Sequence, residues 1–173
     1  MASEVIPAAI PVQPRSDATR PPAVPRVWPA VMLVGLYWAA FATYRHLLEL
    51  PIFVRFLLSL VGWGVLALGL TTWWFTNGRV RLGDRFLAFG AAVLGGVLAC
   101  WLCDPSVGAF GVLLMGLPWV ATTGTLWLLL ARAFSPRVRL LGLLAVLVLT
   151  WVPFTLVGMD GLDGDVQGAF RWR

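Results

Sequence analysis

Long apolar runs, holding at most one charged side chain each, alternate with short runs that hold most of the charge. The apolar runs cover about Val27 to Tyr44, Pro51 to about Phe75, Phe86 to Leu102, Val107 to Leu130 and Val138 to Gly158. Each is about 17 to 25 residues long. At ~1.5 Å per residue that is enough to cross a hydrocarbon core of about 30 Å. None of them alternates apolar and polar residues as a barrel strand does. In lipid, backbone N–H and C=O groups must find partners within the segment, so these runs predict helices. The expected fold class is all-α: a polytopic membrane helix bundle with about five transmembrane helices over 27–158.

The flanks read differently. Residues 1–26 hold Pro7, Pro11, Pro14, Pro21, Pro22 and Pro25 together with Arg15, Arg20 and Arg26, and no aromatic residue. Proline removes backbone donors and blocks helix, so this segment predicts a disordered, basic cytoplasmic tail. Its proline spacing also suits a proline-recognition module, although a solvated tether is the simpler reading. Residues 159–173 predict a short acidic tail outside the cytoplasm, or the start of a further domain.

Composition sharpens the membrane reading. The chain is 60% hydrophobic with a mean hydropathy of +0.85, and 12% of residues are charged. That charged share is about half of what a soluble domain carries. Net charge is +5, and all 13 basic residues are arginine. Such a basic balance can mark nucleic-acid binding. Here the arginines sit between apolar runs, so membrane orientation explains them and no nucleic-acid partner is expected. The N-terminal tail, the run with Arg79, Arg81 and Arg85, and the run with Arg132, Arg137 and Arg139 fall on one side of five spans. They hold nine arginines, against Arg45, Arg55, Arg171 and Arg173 on the other. Positive-inside bias then places the N-terminus in the cytoplasm and the C-terminus outside. Ala40-Phe41-Ala42 resembles a signal-peptidase site; cleavage after Ala42 would leave four spans and the same C-terminal side.

Candidate chemistry is sparse. Cys100 and Cys103 form a C-x-x-C, which suggests a redox pair or half a metal site. Asp104 stands where haem attachment would need His. His46 precedes Glu49 by three residues, so the two could face each other on a helical turn. Asp160, Asp163 and Asp165, interleaved with Gly161 and Gly164, suggest a calcium loop, though not with helix–loop–helix spacing. Ala88, Ala92 and Gly96 recur at four-residue spacing, as do Ala91, Gly95 and Ala99, a pattern that lets helices approach closely. Positions at hydrocarbon depth carry hydroxyls such as Thr71, Thr122, Thr123, Thr125 and Thr150, but no Asp, Glu, Lys or His. Pumps and ion transporters place ionisable groups there. Trp28, Tyr44, Trp73, Trp74 and Trp101 fall near segment ends, as interfacial aromatics do. Trp38, Trp63, Trp119 and Trp127 lie deeper and are expected between helices. Pro118 and Pro153 should kink their helices, and Arg55 can snorkel to the interface.

Gly-Met-Asp-Gly-Leu-Asp-Gly-Asp at 158–165, followed by Phe170-Arg171-Trp172-Arg173, resembles the junction in a family of large bacterial membrane-anchored proteins. In that family a multi-helix N-terminal module precedes a PQQ-binding-like β-propeller. Trp28-Pro29-Ala30 opening the first segment and Trp73-Trp74 closing the second are similar to the same module. The resemblance covers nearly all of this chain but only the front of such a protein. It implies an anchor in the bacterial inner membrane whose partner domain lies outside the cytoplasm. Repeated Trp-containing blades are missing here, so no catalytic or cofactor residue carries over. The expectation is a scaffold rather than an enzyme, without cofactor, metal or identifiable small-molecule ligand. It would contact lipid and other membrane proteins, or a second copy of itself. A small permease subunit and a redox protein using Cys100 and Cys103 are the alternatives.

Overall fold

The computed structural model describes residues 26–47, 49–162 and 168–172. The tail expected to be disordered lies outside them apart from Arg26, as do Asp163, Asp165 and Arg173. The fold is an α-helical bundle. Helix α1 spans Trp28–Ala42 and runs into a π-turn, Thr43–Leu47. Then come α2 (Ile52–Thr76), α3 (Leu82–Leu102) and α4 (Gly108–Leu130), which ends in a 3-10 turn, Ala131–Ala133. Next are α5 (Pro136–Leu149) and the short α6 (Val152–Thr155). Two strands, β1 (Val157–Leu162) and β2 (Gly168–Trp172), close the chain.

Proline sets several starts. Pro29 and Pro136 sit in the first turns of α1 and α5, and Pro51 is the residue before α2. A missing N–H is harmless there because the first helical N–H groups have no intrahelical acceptor. Pro153 acts oppositely. It cannot donate to Leu149, and the fifth apolar run divides there, α5 ending at Leu149 and α6 resuming at Val152. Helix α4, by contrast, continues through Pro118. Between α3 and α4 the chain turns on Asp104, whose side chain accepts from the Ser106 N–H at 2.9 Å. Its carbonyl takes the N–H groups of Val107 and Gly108. Gly108 then opens α4 at a φ of 67°, a left-handed conformation that glycine adopts without penalty.

Among the described residues four helices are long and apolar enough to cross a membrane: α2, α3, α4 with its 3-10 turn, and α5 with α6. The α-helical part of α1 has 15 residues, or ~22 Å, and needs the π-turn to approach the thickness of a bilayer core. Helix α3 begins at Leu82 rather than Phe86, with Asp84 and Arg85 inside its first turn. An acidic residue there complements the helix dipole.

Helix α4 is the axis, touching α1, α2, α3 and α5; α1 also packs on α2, and α3 on α5. The consecutive helices α2 and α3 pack little against each other, and near their loop Phe75 packs against Phe86 and Phe89. Glycines allow the closest approach. The Trp151 ring lies against Gly95 and Gly96 of α3 and Gly116 of α4, leaving no room for a Cβ at Gly95 or Gly116. Indole donors tie helices across the bundle. Trp38 Nε1 donates to the Thr122 hydroxyl at 2.9 Å and Trp63 Nε1 to the Leu113 carbonyl at 3.1 Å. The Thr123 and Thr150 hydroxyls, 2.9 Å apart, join α4 to the end of α5.

After α6 the chain forms an antiparallel hairpin, with Val157 opposite Trp172, Gly158 opposite Arg171 and Met159 opposite Phe170. The sequence predicts a short acidic tail, or the start of a further domain, for this stretch. Aromatic Phe170 and Trp172 favour extended pairing, and the glycines were a turn signal in their own right.

Candidate functional site

The antiparallel helices bring most arginines to one end. Trp73 Nε1 donates to the Arg26 carbonyl at 3.0 Å, so the start of α1 lies beside the end of α2. The α2–α3 and α4–α5 loops are at that same end. Arg26, Arg79, Arg81, Arg85, Arg132, Arg137 and Arg139 thus gather at one pole, with Arg45 and Arg55 at the other.

Two of these arginines are structural, and they do the same job twice. Arg85 is the fourth residue of α3 and only 8% exposed. Its Nη1 donates to the Phe75 carbonyl at 2.6 Å and its Nε to the Val80 carbonyl at 2.9 Å. Trp74 Nε1 returns a bond to the Arg85 carbonyl at 3.0 Å. Arg139 is the fourth residue of α5 and 9% exposed. Its Nε donates to the Ala131 carbonyl at 3.2 Å, and its Nη2 to the carbonyls of Arg132 and Phe134 at 3.3 and 3.1 Å. Trp127 Nε1 donates back to the Arg139 carbonyl at 3.0 Å. In both hairpins a buried guanidinium in the first turn of one helix donates to carbonyls at the end of the preceding helix and in the loop after it, Val80 and Phe134 lying in the loops and Ala131 also accepting the Phe134 N–H. Carbonyls at a helix end carry the negative end of the dipole. Five donors in a fixed fork suit arginine to this task better than lysine.

Between the two locked hairpins is a pocket of about 330 Å³, bordered by Arg79, Arg81, Asp84, Pro136 and Arg139 and closed by Trp74, Leu128 and Leu143. A larger groove of about 780 Å³ runs between α2 and α3, with α4 as its floor. Its walls are almost wholly apolar, from Trp74 and Leu128 at the arginine pole to Cys100 and Trp101 at the other. Ala88, Ala92 and Gly96, the small residues expected to pack helices, line the α3 wall. Both small-residue stripes are buried in part: Ala88 and Gly96 in one and Gly95 and Ala99 in the other, with Ala91 and Ala92 half-buried. Trp151, 4% exposed, also borders the groove, and its Nε1 has no hydrogen-bond partner.

The other sequence candidates do not converge. Cys100 and Cys103 are free thiols. The Cys103 thiol points to the Cys100 carbonyl at 3.1 Å and the Cys100 thiol to the Ala109 carbonyl at 3.6 Å. His46 is on the exposed π-turn and Glu49 lies beyond it, before α2, so they do not share a regular helical turn. Asp160 falls in β1, while Asp163 and Asp165 are outside the described residues. Among the described residues no group of three or more His, Cys, Asp or Glu is placed to hold a metal. Arg55 is half-buried in the first turn of α2, with no hydrogen-bond partner for its Nε. The paired Trp–Arg lock is the feature that sequence reading passed over. Its signal was a tryptophan 11 or 12 residues before an arginine, once in each hairpin.

Helix length, apolar surface and a basic pole define a multi-pass α-helical membrane protein in contact with lipid. The chain matches no protein-family profile, and no curated protein or solved structure shows significant similarity to it.

Proposed function

We propose that this chain is an anchor and scaffold of the bacterial inner membrane, with its arginine pole in the cytoplasm and its C-terminal hairpin outside. In this reading all five helical segments cross the bilayer, and the bundle positions an extracytoplasmic domain or holds membrane partners. The observation that carries it is the exit of the chain. Strand β1 begins at Val157, two residues after α6 ends at Thr155. A short, hydrogen-bonded exit fixes the direction of whatever is attached better than a flexible linker would. The charge asymmetry of the two poles supports the orientation. Support for a β-propeller as the attached domain comes from the resemblance at 158–165 and 170–173 alone.

An immunoblot of source-cell membranes with an antibody to residues 1–26, before and after chemical crosslinking, tests the anchor. The expected result is a band well above the 18.9 kDa of this chain, or one that shifts to a discrete heavier complex on crosslinking. A band near 18.9 kDa that never shifts, joined by flux of a defined solute through liposomes holding the purified chain, would replace the anchor with a small permease.

A further inference from the structure

We infer that the α2–α3 groove and the arginine pocket at its end form one binding site for an anionic phospholipid. The acyl chain would lie in the groove and the phosphate in the pocket. The two cavities share Trp74, Leu128 and Leu143 as walls, so a single molecule can occupy both. Polarity changes sharply along that path. The groove is apolar, while the pocket presents the exposed Arg79 and Arg81 against one carboxylate, Asp84, with the Arg139 guanidinium, committed to its own hairpin's carbonyls, adding positive charge behind them. An amphiphile with an acidic head matches this sequence of surfaces. Arginine recognises phosphate oxygens bidentately. The pocket also opens beside the first turns of α3 and α5, whose N-terminal dipoles favour an anion.

Connectivity decides between a lipid chain and a partner's helix. A continuous partner helix would meet the α2–α3 loop, residues 77–81, at the arginine end. An acyl chain is far thinner and ends in its phosphate at that point. Apolar walls that face each other without touching lose the dispersion contacts that packing would supply.

The test is lipid retention by the full chain, purified in detergent and exposed to mixed micelles of phosphatidylglycerol and phosphatidylcholine, read by native mass spectrometry. The expected result is one tightly retained phosphatidylglycerol with at least fivefold preference over phosphatidylcholine. Arg81→Gln should abolish the preference. Arg81 is exposed, so folding is not at stake in this variant. Ala92→Phe, which fills the groove from the α3 wall, should reduce retention of both lipids. Glycerol phosphate, the head group alone, should not displace the bound lipid at millimolar concentration. Equal retention of the two lipids by the unaltered chain would overturn the proposal, as would an Arg81→Gln variant that keeps its preference. Displacement by glycerol phosphate would reduce the site to a simple anion pocket, and a co-purifying polypeptide crosslinked at Ala92 would give the groove to a partner helix. None of these outcomes depends on the anchor reading, which the immunoblot tests separately.

Discussion

Arg85 and Arg139 show how a charged residue can be buried in a membrane bundle by donating to backbone carbonyls. Each guanidinium donates to backbone carbonyls of its own hairpin, of which Ala131 also accepts the Phe134 N–H. Removing it takes that donor from the remaining carbonyls, and a buried acceptor without a donor costs about 1–3 kcal/mol. Arg85→Met and Arg139→Met are therefore each expected to lower unfolding free energy by about that much, measured by denaturant titration in detergent. Arg85→Lys should recover only part of the loss, since an ammonium cannot reach two carbonyls in the same fork. Full stability in Arg85→Met would remove the capping account. Gly116 is a second sensitive residue, because a Cβ there collides with the Trp151 ring. Gly116→Val should destabilise by overpacking, about 1–3 kcal/mol in the same titration, whereas Gly35→Ala, with open space around it, should not.

Helices were legible in the sequence because lipid leaves a long apolar run few other options, and Trp38 and Trp63 could be assigned to helix contacts from their depth alone. Boundaries were less legible where charge and structure disagree. Arg85 and Asp84 read as loop because they are charged, yet they belong to the first turn of α3, where the dipole and the neighbouring carbonyls accommodate them. The separation of α2 and α3 could not be read at all, since it depends on α4 sitting beneath both. The groove was hidden for the same reason, although the small residues of its α3 wall were visible as a pattern. Interhelical polar contacts are a further property at this level. The Thr123–Thr150 pair lies between α4 and the end of α5. Hydroxyl bonds inside membrane proteins couple by about 0.6 kcal/mol on average. A double-mutant cycle with Thr123→Val and Thr150→Val is expected to give a coupling near that value, and zero coupling would make the contact incidental.

For the molecule as a whole, the account rests on polarity along the bundle axis. Large apolar side chains such as Leu36, Phe53, Leu68, Leu94 and Trp101 are more than half exposed. Patches of that extent would be a liability in water and are ordinary against lipid. Most of the described arginines are gathered at one pole, with Arg45, Arg55 and the C-terminal hairpin that follows α6 at the opposite end. Cysteine labelling in spheroplasts tests this orientation directly. In a Cys100→Ser, Cys103→Ser background, Gly78→Cys marks the α2–α3 loop and Pro105→Cys the α3–α4 loop, at opposite ends of α3. With a membrane-impermeant maleimide, the account predicts labelling of Pro105→Cys in intact spheroplasts and of Gly78→Cys only after the membrane is opened. Labelling of Gly78→Cys from outside, with Pro105→Cys protected, would invert the molecule and contradict an anchor whose hairpin faces away from the cytoplasm.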